Sequence, residues 1–256
     1  MKLRIPFLVL SVGQACNLNC KNCANFAPYA TPELRRYSIE SIIADFESLF
    51  KVVGRIDSLQ IQGGEPLTYS DLPKLIGYLS ACKEVGDIVV ATNGTITPSD
   101  KVMHFFSMNN IKLRVSNYLQ NRKNLESLAD KTQAYRINVF LYDFASREAL
   151  WYDCGGLNTP CENDDRIVAE RFNKCSFKGC LTMENGELHR CSRAPNANKM
   201  QGFNQLPPPH DYVSVRNNAN LENHLIEYLS KPHFETACRY CNGTWNVRKI
   251  PAAEQL

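Results

Sequence analysis

An open, partial TIM-like barrel of about five or six parallel strands, followed by a small cysteine-rich C-terminal domain, is the α/β fold this sequence predicts. Three observations lead to it. Short apolar runs alternate with helix-period segments as far as residue 143, the pattern of a parallel sheet with right-handed crossovers. The alternation stops far short of the ~250 residues that a closed eight-stranded barrel occupies. Beyond residue 150 the composition turns to Cys, Asn, Gly and Pro with few long apolar runs. The domains are therefore expected at 1–150 and 151–256.

The apolar run from Phe7 to Val12 is the first strand. Ile39, Ile42, Ile43, Phe46, Leu49 and Phe50 then recur at helical spacing behind Ser38, a good N-cap. A second strand, 58–62, runs into Gly63-Gly64-Glu65-Pro66. Ser70-Asp71 opens a helix that turns Leu72, Leu75, Ile76 and Leu79 inward. The third strand, 87–91, ends in Thr92-Asn93-Gly94. Thr97-Pro98 reads as a helix start with proline at its first position, and Val102, Phe105 and Phe106 form its buried stripe. Residues 111–116 alternate as a fourth strand, 121–131 read as a helix and 135–142 as a fifth strand. The polar groups fall just after strand ends, which in such a fold share the C-terminal face where active sites are built.

Composition narrows the classes. A hydrophobic content of 44% is that of a globular chain. The net charge of +3, from 29 basic and 26 acidic residues without long runs, lacks the clustered basic face of a nucleic-acid binder. No apolar run approaches the ~20 residues of a membrane span. The short apolar run behind Pro6 is a poor secretion signal, and cleavage before Cys16 would remove the first strand. Eleven cysteines in a chain of this size are read as metal ligands kept reduced in the cytoplasm.

Cys16, Cys20 and Cys23 form C-x₃-C-x₂-C directly after the first strand. Zinc prefers four ligands, usually in C-x₂-C pairs. A cubane iron–sulfur cluster has four irons, normally held by four thiolates. Three local thiols thus suggest a cluster with one iron open to something else. This run, with Gly63-Gly64-Glu65-Pro66 after the next strand, resembles the radical S-adenosylmethionine (radical SAM) enzymes over roughly residues 5–145. The resemblance implies that the three cysteines hold a [4Fe-4S] cluster whose open iron binds the amine and carboxylate of S-adenosyl-L-methionine (SAM). Reduction of the cluster then yields a 5′-deoxyadenosyl radical. It further implies that Gly63, Gly64 and Glu65 line the methionyl amine. Thr92, Asn93, Ser116 and Asn117 match the strand ends where ribose, methionyl or carboxylate groups are met; ordinary turn chemistry would also place them there. Asn22 departs from the family, which often has an aromatic residue beside the adenine.

The second half holds Cys154, Cys161, Cys175, Cys180, Cys191, Cys238 and Cys241. Asn185-Gly186 between alternating segments signals a hairpin that would draw its flanking cysteines together, and Cys238-x₂-Cys241 is a metal knuckle. C-x₉₋₁₅-G-x₄-C followed by C-x₂-C resembles the auxiliary-cluster modules called SPASM and twitch. That resemblance implies a second [4Fe-4S] cluster on Cys175, Cys191, Cys238 and Cys241; zinc on the same four ligands is the chemical alternative. Cys180 lies too close to Gly186 for this pattern. Cys82 is read as a small buried residue, His189 as a surface residue of the hairpin, and Cys154 and Cys161 as linker cysteines or a hydrogen-returning thiol. Pro207-Pro208-Pro209 is a stiff connector, and a helix near 221–229 is expected to pack on the barrel. Asp143, Arg147, Glu148, Trp151 and Tyr152 follow the last strand, and Asp143 and Arg147 are the candidates for acting on substrate.

A cluster held by four protein thiolates offers no open iron, so its natural use is to take an electron from a substrate radical. Relatives of the short twitch-only type include a dehydrogenase of an aminocyclitol hydroxyl, whereas peptide-modifying relatives often carry a leader-binding domain ahead of the barrel. With Cys16 so near the start, no such domain is expected. The expected reaction is oxidation of a sugar- or cyclitol-like hydroxyl, with an external one-electron donor such as flavodoxin or ferredoxin. Modification of a ribosomal peptide, by crosslinking or epimerisation, and a non-catalytic electron-transfer protein are the alternatives. A SAM amine pocket is out of place in the last.

Overall fold

The computed structural model describes residues 2–143, 150–197 and 211–256. Five parallel strands come first: β1 (Leu3–Ser11), β2 (Val53–Gln62), β3 (Val85–Thr92), β4 (Lys112–Asn117) and β5 (Val139–Asp143). They are joined through α1 (Pro32–Arg35) and α2 (Ile39–Leu49), α3 (Leu72–Ala81), α4 (Asp100–Met108) and α5 (Arg122–Ala134). The strands run in the order β5-β4-β3-β2-β1. The stripes of α2 and α3 are buried as read: Ile42, Phe46, Leu49, Leu75, Ile76 and Leu79 are at most 2% exposed. In α4 the buried pair is Met103 and Phe106, while Val102 and Phe105, read as part of the stripe, are only partly buried, because the helix turns its Met103 face to the sheet.

Boundaries moved where local chemistry outvoted the pattern. The Ser38 hydroxyl caps α2 by accepting the Ser41 N–H, as expected. Pro98 does not start α4; Ser99 does, accepting the Val102 N–H at 3.5 Å. Hydroxyl capping satisfies an orphan N–H that proline would leave bare. Strands β1 and β2 extend further towards their N-termini than their apolar runs, because Leu3 and Val53 already pair across the sheet.

The second half builds onto the same sheet. Strand β6 (Leu150–Tyr152) and α6 (Asp165–Lys174) lead to β7 (Thr182–Glu184) and β8 (Glu187–His189). Asn185 and Gly186 have φ of 49° and 80°, the doubly left-handed turn that Asn-Gly favours. β7 lies parallel to β1, with Val9 opposite Thr182 and Ser11 opposite Glu184, so six strands are parallel. The hairpin and β9 (Val213–Ser214) then run antiparallel, giving β5-β4-β3-β2-β1-β7-β8-β9. β5 and β9 are its edges, so the barrel is open. After the short α7 (Ala194–Ala197), α8 (Leu221–Ser230) buries Leu221, Leu225 and Tyr228 in the main core, the packing role expected of it. β10 (Lys249–Pro251) pairs antiparallel with β6. Neither that pair nor α6 shows as a clear period in the sequence.

One ion pair fastens the added strands to the barrel. Arg216 donates to both carboxylate oxygens of Asp45 on α2, at 2.6 and 2.8 Å, and Asp45 is 2% exposed. A bidentate guanidinium is the partner a buried carboxylate needs. A second, small core joins Phe26, Ala30 and Leu34 of the first half to Ala194, Ala197 and Ala237 of the second. Pro207, Pro208 and Pro209 lie outside the described residues.

Candidate metal centres

Cys16, Cys20 and Cys23 occupy the loop after β1, and all three are free thiols. Polar hydrogens are aimed at the sulfurs: the Leu18 N–H donates to Cys16 Sγ at 3.4 Å, and Asn93 Nδ2 lies 3.7 Å from the same sulfur. Burial pushes the Cys20 thiol up to about 11 and raises Cys16 and Cys23. Left bare, these groups are thiols; a cationic centre is what would deprotonate them.

The Gly63-Gly64-Glu65 turn holds this loop. The Gly64 N–H donates to Gly13 O at 3.0 Å and the Glu65 N–H to Ala15 O at 2.8 Å. A Cβ on Gly63 would stand 2.1 Å from Gly13 O, and one on Gly64 2.4 Å from Ala15 O. Only glycines let the end of β2 approach the backbone leading to Cys16 this closely.

The Glu65 side chain is 1% exposed and ties strand ends together. Its carboxylate accepts the Thr92 hydroxyl at 2.9 Å, the Asn93 N–H at 2.7 Å and the Leu67 N–H at 3.0 Å. Burial pushes its pKa up to about 7, against these three donors, which favour the ionised form. Thr92 is thus engaged inside the protein, and its oxygen also accepts the Gly94 N–H. Asn93 reaches the cysteine loop itself, donating to Asn17 Oδ1 at 3.0 Å.

Ser116 and Asn117 end β4, as read from the sequence. Asn121, taken only as the start of a helix, is fully buried and donates to Asn93 O at 2.7 Å and Ser116 O at 2.5 Å. It bridges the ends of β3 and β4, a role with no local signature. Asp143 ends β5 opposite Asn117. Arg147 and Glu148 lie outside the described residues, and Trp151 and Tyr152 belong to β6.

A further contact comes from far along the chain. Gln255 donates through Nε2 to Cys20 Sγ at 3.3 Å and accepts the Asn19 N–H at 2.8 Å. The Lys21 N–H bonds to Glu254 O and the Leu256 N–H to Asn19 O, so residues 254–256 form an edge against the cysteine loop. Nothing in the sequence pairs these segments.

The second cysteine set is brought together. Cys175 follows α6, Cys191 follows β8, and Cys238 and Cys241 bracket the end of a 3₁₀ turn, Thr236–Tyr240. All four line one cavity, and Cys154 joins them there. Cys154 is 7% exposed and lines the cavity beside Cys241. The proximity of the two thiols holds the proton on Cys154 and lowers Cys241, which the Gly243 N–H (3.3 Å) also favours as thiolate. Thr244 Oγ1 lies 3.7 Å from Cys175 Sγ. Burial, reinforced by the Glu235 carboxylate, pushes Cys191 and Cys238 strongly up. Cys161 is exposed, Cys180 does not line the cavity, and Cys82 is half-buried on the C-terminal edge of α3.

Behind these thiols His189 is 1% exposed, not a surface residue of the hairpin. Its β8 position turns inward to Glu235, 3.2 Å away, which also accepts the Tyr228 hydroxyl at 2.8 Å. Burial opposes a charge on the ring, but contacts with Glu187 and Glu235 push it up to about 9.

Among the described residues no three His, Cys, Asp or Glu side chains converge closely enough to hold a single metal ion. A cluster keeps its thiolates apart by the width of its inorganic core. Spread thiols in wet-to-buried pockets with N–H groups turned to sulfur suit that chemistry. No described helix is long and apolar enough to cross a membrane.

Residues 10–116 match the sequence model of the Radical SAM superfamily. A GTP 3′,8-cyclase of Syntrophomonas wolfei is 31% identical over 94 residues, 36% of this chain and 28% of that protein. Its counterpart in Xanthomonas axonopodis pv. citri is 38% identical over 96 residues, 35% of this chain and 27% of that protein. The chain thus spans under a third of the length of these curated relatives. Among solved structures, BtrN in complex with AdoMet and 2-DOIA superposes with a TM-score of 0.58 at 16% identity, covering 100% of this chain and 98% of that one. At that identity the likeness is one of fold.

Proposed function

We propose, from the match of residues 10–116 to the Radical SAM superfamily, that this chain is an enzyme of that family and oxidises a hydroxyl of a sugar- or cyclitol-like substrate with the help of two [4Fe-4S] clusters. In this reading Cys16, Cys20 and Cys23 hold the first cluster, and residues 151–256 form a twitch-type domain holding the second on Cys175, Cys191, Cys238 and Cys241. When bound, the first cluster and SAM supply the 5′-deoxyadenosyl radical that takes a hydrogen atom from substrate. The chain's own residues hold and shield. Gly63 and Gly64 let the strand end pin the cysteine loop. Glu65 offers a buried carboxylate to the methionyl amine, while Thr92 and Asn93 fix that carboxylate in place. Ser116 and Asn117 stand at the next strand end, available to the ribose or carboxylate of SAM. Asp143 and Arg147 are the candidates for handling the substrate proton.

The observation that carries the reading is the second cavity, which is lined by Cys175, Cys191, Cys238 and Cys241 from three separate stretches of the chain. Four protein thiolates leave no iron for substrate, which fits an electron acceptor in a two-electron oxidation. The small polar substrate class is supported by the full-length fold likeness to a protein solved with 2-DOIA. The GTP 3′,8-cyclases share about a third of the chain, and no GTP site is carried over from them. Eleven free thiols fit a reducing, cytoplasmic setting with a flavodoxin or ferredoxin as donor. Iron and sulfide analysis of the reconstituted protein tests the two-cluster reading: about eight irons are expected for two cubanes. Four irons with stoichiometric zinc would replace the second cluster by a structural zinc.

Glu65→Ala is expected to leave the iron content unchanged and to weaken SAM binding. A hydrogen bond to a charged group contributes ~1.5–3 kcal/mol, about ten- to a hundredfold in Kd. Calorimetric titration of SAM into wild type and variant checks it; equal affinities would remove Glu65 from the amine site.

A further inference from the structure

Arg193 is 5% exposed, yet among the described residues no carboxylate pairs with it. Its guanidinium donates to two carbonyls on opposite sides: Ala24 O at 3.3 Å, one residue after Cys23, and Gly155 O at 2.8 Å, one residue after Cys154. It lies over the Phe26 ring, 4.2 Å from the centroid, and Phe26 belongs to the small core that joins the two halves. It also lines the cavity of Cys175, Cys191, Cys238 and Cys241. Arg171, the neighbouring cation, is committed to one side, donating to the Cys238 and Cys241 carbonyls.

Burying a guanidinium on neutral oxygens and a ring is costly unless an anion lies close by. Thiolate-held clusters are such anions, and each gains one more negative charge on reduction. We propose that Arg193 is a counter-ion shared by the two cluster sites, a positioning residue whose single buried charge favours the reduced state of both and clamps the loop of Cys23 to the second module. This rests on the two-cluster reading above.

The arrangement has a chemical use. With clusters bound, an electron passed to the second site would find the Arg193 cation already in place, so no water or side chain would have to reorganise to receive it. The same cation would favour reduction at the first site.

The test is a redox titration followed by electron paramagnetic resonance on wild type, Arg193→Lys, Arg193→Gln and Arg193→Met, each checked for iron. Wild type should show two one-electron steps; a single step would sink the two-cluster reading and leave this one without its ground. With two steps present, both midpoints should fall in the Gln and Met variants. At least a tenfold change in the reduced-to-oxidised ratio is expected, 59 mV for one electron. The Lys variant should stay near wild type. Unmoved midpoints in Gln and Met, or a Lys variant that shifts as far as they do, would overturn the shared-charge role. Should the neutral variants fail to load iron, loading by Lys alone supports a requirement for charge. Failure of all three overturns it in favour of guanidinium shape.

Discussion

Replacing Cys16, Cys20 and Cys23 together with alanine is expected to abolish 5′-deoxyadenosine formation and to remove about half the iron and sulfide. The loss should be complete, because no other described cysteine enters the loop between β1 and α1. The fold should survive. The loop is held by Gly64 N–H to Gly13, Glu65 N–H to Ala15 and the edge formed by residues 254–256, none of which needs a thiol. Chromatographic detection of deoxyadenosine under a strong reductant, beside iron analysis and a thermal melt, makes the measurement. SAM cleavage at any appreciable rate in a folded triple variant would refute the assignment of this loop.

Cys238→Ala should do the opposite at the level of products. On the proposed reading, which puts SAM at the other loop and makes the second centre the electron acceptor, deoxyadenosine production should continue while oxidised product should fall to background. Linked folding and metal binding complicate the variant, so its melting temperature has to be compared with wild type. Cys238 also lies in the short turn whose carbonyls accept Arg171, and these backbone contacts do not depend on its sulfur. A folded variant that forms product at the wild-type rate would make the second centre structural. Attention would then turn to Cys154, buried beside Cys241, as a hydrogen-returning thiol and to epimerisation as the chemistry.

The barrel half was legible because its signals are local. A stripe such as Ile42, Phe46 and Leu49, or a strand running into Gly63-Gly64, is complete within a dozen residues, and the cysteine run needs only its own spacing. The hairpin at Asn185-Gly186 was legible for the same reason. What stayed hidden depends on distance or on burial decided by tertiary packing. His189 alternates correctly for an exposed strand position, but Glu235 arrives from beyond α8 and covers it. Gln255, Asn121 and Arg193 are ordinary residues until the chain places them beside Cys20, between β3 and β4, and between two cysteine loops. The helix start at Ser99 instead of Pro98 shows a hydroxyl cap winning over a proline preference within a single turn.

The position of β1 has a consequence for how the chain acquires its shape. β1 is hydrogen-bonded on one side to β2, close in sequence, and on the other to β7, which is not made until residue 182. Contacts of such high order form slowly, because the intervening chain must be closed before they reward it. During synthesis the first five strands and their helices can assemble while one edge of β1 is still unpaired, a surface open to wrong partners. Residues 19–21 wait longer still, for 254–256. The loop of Cys16, Cys20 and Cys23 is thus made long before the segment at 254–256 that covers it. Yield of correctly loaded protein should therefore depend on keeping oxygen away from the nascent chain, more than on the stability of the finished sheet.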